Sequence, residues 1–97
     1  MQIRITRSAE EDLVLGVAFY EAQQQSLGTY FLDSLYADID SLILYAGIHA
    51  KPMGRFHRAL SKRFPFAIYY EVKNDIIFVV AILDCRQNPG AITDRLI

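Results

Sequence analysis

Apolar and polar positions recur along this chain at spacings that predict most of its elements. Ile3 and Ile5 alternate with Arg4 and Thr6, the period of a short strand with one wet face. Ser8 stands three residues before Glu11, ahead of an apolar-periodic run. That is the capping-box pattern, so a helix is expected to begin at Ser8. Leu13, Val17 and Tyr20 share one helical face, and Glu10, Glu11 and Asp12 fall in the first turn, where the helix dipole favours acids. Gly16 within this helix either weakens it or lets another element come close. "QSLG" is a break, after which a second helix is predicted over Thr29–Ala46 on the stripe Phe31, Leu35, Ile39 and Leu42. Leu32, Tyr36 and Ile43 widen that stripe, and Gly47 is the expected stop. Two such helices joined by a short turn form an antiparallel hairpin.

"GIHAKPMG" reads as a loop punctuated by Pro52 and Gly54. Phe56–Leu60 is a predicted strand, with Phe56, Arg58 and Leu60 alternating against His57 and Ala59. Pro65 suits the head of the next strand, since it cannot donate to a ladder. There Phe66, Ile68, Tyr70 and Val72 share one face, while Ala67, Tyr69, Glu71 and Lys73 share the other. "KND" is a turn. Ile76 to Leu83 is apolar on both faces, which places it centrally in the sheet. The tail "AITDRLI" is too short to assign. The expected fold is α+β, in the order β-α-α-β-β-β, with a helical hairpin on one face of a mostly antiparallel four-stranded sheet. Residues 1–97 read as a single domain.

Composition narrows the function classes. A hydrophobic fraction of 53% in 97 residues is slightly above the globular average, and suggests a surface partly covered by a partner or another copy. A single cysteine, Cys85, excludes an internal disulfide and suggests a reducing compartment. No leader pattern or membrane-length apolar run is present, so a cytoplasmic location is expected. The net charge of −1 conceals an asymmetry: residues 1–50 carry two arginines against seven acids, while residues 51–97 carry eight cations against four acids. Five of those cations lie between Lys51 and Arg63, with no acid among them. Such separation points to an anionic partner for the second half, although exposed cations also protect strand edges.

The chemistry available is cationic. His49 and His57 have no Cys or His partner at ligand spacing, so no metal site is expected, and no glycine-rich phosphate loop exists. No cofactor is implied. Cys85 lies beside Arg86, which would favour a thiolate, but it reads better as an inert small residue. Arg58, Lys62, Arg63 and Arg86 lie at or near strand ends that a three-stranded meander can bring together, and arginine holds phosphates and carboxylates bidentately. Tyr69 and Tyr70 add phenolic groups nearby, pointing to opposite faces, and read chiefly as packing residues.

"KPMGRFHRALSKRFPFAIYYEV", then "IIFVVAILDCRQNP" and Arg95, resembles the RelE/ParE superfamily of bacterial type II toxins, and is closer to the ParE, or plasmid stabilisation, branch. The slots of the family's pattern are filled by Pro52, Gly54, Arg58, Phe64, Pro65, Phe66, Ile68, Tyr70, Arg86 and Pro89. The resemblance implies the same element order and a cognate antitoxin that covers the apolar grooves. It also implies one of two targets. RelE-like members are ribosome-dependent endonucleases that cut mRNA, whereas ParE-like members inhibit DNA gyrase by binding it.

This chain departs from the family at Asp84, where many members have histidine, at Ala91 and Ile92, where many have an aromatic residue, and at Ala67, where arginine is frequent. A ribonuclease needs groups to take and return protons at the 2′-hydroxyl and the leaving oxygen. Arg58, Lys62, Arg63 and Arg86 would steady its developing charge, but no histidine or tyrosine stands at the usual place, and His57 is a poor substitute. The pI of 6.0 is also low for docking on ribosomal RNA. The expectation is therefore a non-enzymatic toxin whose target-binding surface comprises Arg55, Arg58, Lys62, Arg63, Arg86 and Arg95. The alternatives are an mRNA endonuclease acting on the ribosome, or a weakly toxic antitoxin-binding module. A homodimer is left open.

Overall fold

The computed structural model describes all 97 residues. The elements run β1 (Gln2–Ile5), α1 (Arg7–Gln23), α2 (Leu27–Asp40), α3 (Leu42–Tyr45), β2 (His57–Leu60), β3 (Phe66–Lys73), β4 (Ile76–Asp84) and α4 (Pro89–Leu96). The sheet order is β1-β4-β3-β2, with β1 parallel to β4 and the other pairs antiparallel. This is the expected α+β fold, with β4 inside the sheet. No helix is long and apolar enough to cross a membrane.

Where α1 begins differs from expectation. Thr6, not Ser8, is the cap: its hydroxyl accepts from Ala9 N–H at 3.3 Å, and Ser8 lies inside the first turn. Thr6 N–H still donates to Val79 C=O at 3.0 Å, so the last sheet bond of β1 sets the first helical residue. The hairpin turn is built by Glu21, whose carboxylate accepts from Ser26 N–H and Gly28 N–H at 2.9 Å each. It thus places negative charge at the amino end of α2, where the orphan amides and the dipole favour it.

The predicted second helix is not continuous. α2 stops at Asp40, and Leu42–Tyr45 forms a separate single turn. Ser41 causes the break: its hydroxyl turns back to Asp38 C=O at 2.6 Å, a local bond that competes with the helical ladder. The unassigned tail forms α4. Asn88 caps it by accepting from Gly90 N–H at 2.7 Å, and Pro89 opens it, where its missing N–H costs nothing. Leu96 and Ile92, four residues apart, lay this helix on the sheet. Both faces of the sheet are therefore covered. The helical hairpin buries Phe31, Leu35, Ile39, Ile68, Tyr70 and Ile77 on one side, and α4 closes a smaller cluster of Phe56, Tyr69, Ala81 and Leu83 on the other. Phe56 thus lies outside β2 and opposite the helical hairpin.

β4 is apolar on both sides for a specific reason. Tyr70 pairs with Val79 and Tyr69 with Ala81, so Val80 is an extra residue, a β-bulge. Ile77 and Val79 face the helical hairpin before it, and Ile82 does so after it, while Ala81 and Leu83 turn to α4. The β3–β4 turn needs left-handed backbone at both central positions, and Asn74 (φ 52°) and Asp75 (φ 63°) supply it.

Gly16 is where the hairpin closes. A Cβ there would lie 2.5 Å from the ring of Phe31, which is fully buried and stacked 5.1 Å from Tyr20. Gly16→Ala is expected to cost about 1–3 kcal/mol, the range for forcing an extra carbon into a packed core. Urea unfolding checks this; a variant as stable as the parent would show that the Phe31 ring yields freely.

Candidate functional site

The cations proposed from the sequence fall into separate groups. Lys62 and Arg63 form the β2–β3 turn and lie against α2. Lys62 N–H donates to the Asp38 carboxylate at 3.3 Å, and that carboxylate, buried at 8% exposure, also accepts from the Ser61 hydroxyl at 2.7 Å. Arg63 Nη1 donates to the Tyr30 hydroxyl at 3.3 Å, with its guanidinium 5.8 Å from the ring centroid. With Asp33, Ser34 and Ala37, these residues frame a cleft of about 260 Å³. The cleft is of mixed charge, which the sequence does not reveal because its acids come from α2, more than twenty residues away.

Arg58 is not part of that cleft. It pairs with Tyr69 in the β2–β3 ladder and so shares the face covered by α4. Arg55 lies over the Phe56 ring at 4.7 Å. Arg95 is a structural cation: Nη2 donates to the Asp12 carboxylate at 2.7 Å and to Ser8 C=O at 3.2 Å. Asp12 also accepts from Ile82 N–H at 3.0 Å, so one carboxylate joins α1, β4 and α4. Burial nevertheless pushes its pKa up, outweighing the Ile82 amide and Arg95.

Arg86 is paired within the chain. Its Nε donates to Asp84 Oδ1 at 3.0 Å and its Nη2 to Oδ2 at 2.8 Å, a bidentate fork. Arg86 N–H adds a third bond to Oδ1 at 2.8 Å. These bonds hold the Asp84 carboxyl below the usual carboxylate range, despite partial burial, and raise the guanidinium pKa further. Asp84, at a position where the resemblance implies histidine, thus pairs with Arg86 at the protein surface. Cys85 between them is exposed, yet desolvation raises its pKa over the opposing pull of Arg58, so it is not an activated thiolate.

The chain also assembles a cluster that single-residue reasoning misses. The Tyr70 side chain is fully buried, and its oxygen accepts from Gly47 N–H at 3.1 Å. The same hydroxyl is hydrogen-bonded to His49 Nδ1. His57 Nδ1–H donates to His49 C=O at 2.6 Å, and its ring stacks on Tyr70 with centroids 4.9 Å apart. Burial lowers the His49 pKa first, and the neighbouring His57 lowers it further. The three side chains pin the 46–56 loop to β2 and β3. Neither histidine is bonded to Arg58, Lys62, Arg63 or Arg86.

Much apolar surface faces solvent on the helical hairpin. Val14, Leu15 and Phe19 on α1 are 67%, 70% and 52% exposed. A groove of about 490 Å³ runs between α1 and α4, with Leu15, Phe19, Phe66, Leu83 and Ala91 among its walls. A second, of about 310 Å³, opens between α1 and α2 beside Val14, Val17, Leu32 and Tyr36. Exposed apolar residues and grooves of this kind on a small protein are where a partner or ligand can be accommodated.

This architecture matches a solved structure described as the chromosomal ParDE TA system from P. aeruginosa, with a TM-score of 0.77 over 84% of this chain and 92% of that one, at 20% sequence identity. The chain has a ParE-like fold. No protein-family model and no curated protein matches it. At 20% identity the likeness resides in the ParE-like arrangement of helices and strands rather than in shared side chains.

Two outcomes are expected. The lowered His49 pKa means that the folded state binds fewer protons than the unfolded chain. Stability is therefore fully present above pH 6.5 and is lost as pH falls below that value towards the folded-state pKa. His49→Asn should flatten the part of the urea-midpoint profile between pH 5 and 7 that His49 causes; an unchanged profile would remove His49 from this role. Asp84→Ala should break the fork and leave the Arg86 guanidinium free in solvent, which speeds hydrogen exchange at its Nε as read by 15N NMR. Exchange as slow as in the parent would show that Asp84 does not hold Arg86 in solution.

Proposed function

We propose that this chain is the toxin component of a type II toxin–antitoxin module of ParE type, inhibiting DNA gyrase by binding it and neutralised by a cognate antitoxin. The ParE-like fold supports the first part. The exposed apolar residues of α1 and the two grooves beside it supply what an antitoxin would cover.

The observation that carries the choice of target is the Asp84–Arg86 fork. A ribonuclease of the related kind would need this arginine free to meet a phosphate, next to a group that moves a proton. Here a carboxylate occupies the arginine, and both histidines have their Nδ1 atoms engaged within the chain. A protein target tolerates such self-pairing, because recognition rests on apolar contact and on a few exposed cations at the rim. Lys62 and Arg63, which share one cleft, are the cations this reading assigns to the target-binding surface; Arg58 lies on the α4 face, Arg55 rests on Phe56, and Arg86 and Arg95 are held by carboxylates.

The purified chain is expected to inhibit supercoiling by DNA gyrase and to trap broken DNA, while leaving message intact in translating ribosomes. Message cut within ribosomes, with gyrase unaffected, would overturn this in favour of an mRNA endonuclease. No effect in either assay, and none on growth when the chain is expressed, would leave only an antitoxin-binding module.

A further inference from the structure

Three residues of α2 line one wall of the cleft beside the β2–β3 turn, and they are spaced four apart. Tyr30, Ser34 and Asp38 therefore stand in a row along the helix, spanning about 12 Å at 1.5 Å of rise per residue. Ser34 and Asp38 are each only 8% exposed. One Asp38 oxygen, Oδ2, accepts from the Ser61 hydroxyl at 2.7 Å and from Lys62 N–H at 3.3 Å, which fixes the carboxylate in place. Neither the other oxygen, Oδ1, nor the Ser34 hydroxyl has a hydrogen-bond partner within the chain, and neither atom is sealed off. Two nearly buried side chains thus open free polar atoms into the cleft.

Charge is ordered along this row. At one end stands Arg63, whose guanidinium is held by the Tyr30 hydroxyl and forms no ion pair. At the other end is the free oxygen of Asp38, in the last turn of α2. The helix dipole follows the same order, positive where α2 begins near Tyr30 and negative where it ends near Asp38. An anion is therefore favoured beside Arg63 and a cation beside Asp38. The Ser34 hydroxyl between them can donate or accept. Asp33 and Lys62 add one charge of each sign, so the four charged groups of the cleft sum to zero. Its volume, about 260 Å³, lies at the small end for ligand sites.

We propose that this cleft binds a small zwitterion, of the size of a dipeptide, whose ammonium and carboxylate stand at opposite ends. Its ammonium would donate to Asp38 Oδ1, its peptide group would bond to the Ser34 hydroxyl, and its carboxylate would accept from Arg63. A free α-amino acid carries both charges on one carbon and is too short to reach from Asp38 to Arg63. A lone cation would meet Lys62 and Arg63, and a lone anion would meet Asp33 and Asp38. The bonds from Ser61, Lys62 N–H and Tyr30 hold both charged ends in position before the ligand arrives, which lowers the cost of ordering them. The proposal stands whether or not gyrase is the target, since it concerns a ligand of the chain alone.

The test titrates the full 15N-labelled chain with Ala-Ala, which has both free termini, and with capped forms of it. Ala-Ala is expected to shift the amide signals of Ser34, Asp38, Lys62 and Arg63 saturably. Acetyl-Ala-Ala, which lacks the ammonium, and Ala-Ala-amide, which lacks the carboxylate, should each bind about tenfold more weakly, the scale of losing one charge-assisted hydrogen bond. Arg63→Gln, an exposed change, should weaken Ala-Ala about as much and leave Ala-Ala-amide unaffected. Asp38→Asn should weaken Ala-Ala and leave acetyl-Ala-Ala unaffected; where that variant does not fold, Arg63→Gln decides. No saturable shift with Ala-Ala, or free alanine binding as tightly, would overturn the proposal. So would equal binding of acetyl-Ala-Ala-amide, because the cleft would then read a segment of a partner protein rather than a free zwitterion.

Discussion

The molecule depends on one extra residue in β4. Val80 reverses the alternation of the strand, so the segment that reads as uniformly apolar serves two cores in turn. Before the bulge β4 is paired by β1, and after it the strand has no neighbour on that side. Asp12 fills the gap by accepting Ile82 N–H, and because Arg95 binds the same carboxylate, α4 is anchored at the same point. A buried strand amide without a partner would cost on the order of 1–3 kcal/mol. The end of β1, the start of α1 and the seat of α4 are therefore one connected solution to a single unpaired stretch of backbone.

The second support is aromatic. Tyr20, Phe31, Phe64 and Phe66 meet with ring centroids between 4.8 and 6.1 Å, joining both helices of the hairpin to the β2–β3 turn and β3. This contact is close because Gly16 has no side chain and Gly28, whose added Cβ would lie 2.7 Å from Val17 C=O, lets the two helices approach. The turn fixed in this way carries Lys62 and Arg63, so the packing that stabilises the fold also positions the cations nearest the helices. Function on this scaffold is set by what remains exposed: apolar α1, the few unpaired cations and the cleft between α2 and the β2–β3 turn.

Most cations of the basic half of the chain have a partner within it. Of eight lysines and arginines after residue 50, Arg86 and Arg95 are held by carboxylates and Lys73 lies 3.4 Å from Glu71. Arg55 and Arg63 rest on aromatic rings. What reads in sequence as a continuous basic tract is divided, because Lys51 and Arg55 lie in the loop before β2, Arg58 lies in β2 on the α4 face, and Lys62 and Arg63 lie in the turn against α2.

Local patterns were enough to place the two helices of the hairpin and the four strands to within their ends, the central place of β4 and the opposite orientations of Tyr69 and Tyr70, since each follows from periodicity within a few residues. At Gly16 the sequence left two readings open, a weakened helix or a close approach, and the packing of Phe31 against it decided for the second. Tertiary structure alone decided the rest. Thr6 rather than Ser8 caps α1 because β4 claims the Thr6 amide. The run after Pro89 is a helix because the second face of the sheet needs a cover, and eight residues carry too little propensity to announce it. Neither the distribution of the cations nor the union of His49, Tyr70 and His57 can be read along the chain. Each depends on partners brought together by the register of strands, and register is a property of the sheet rather than of any one segment.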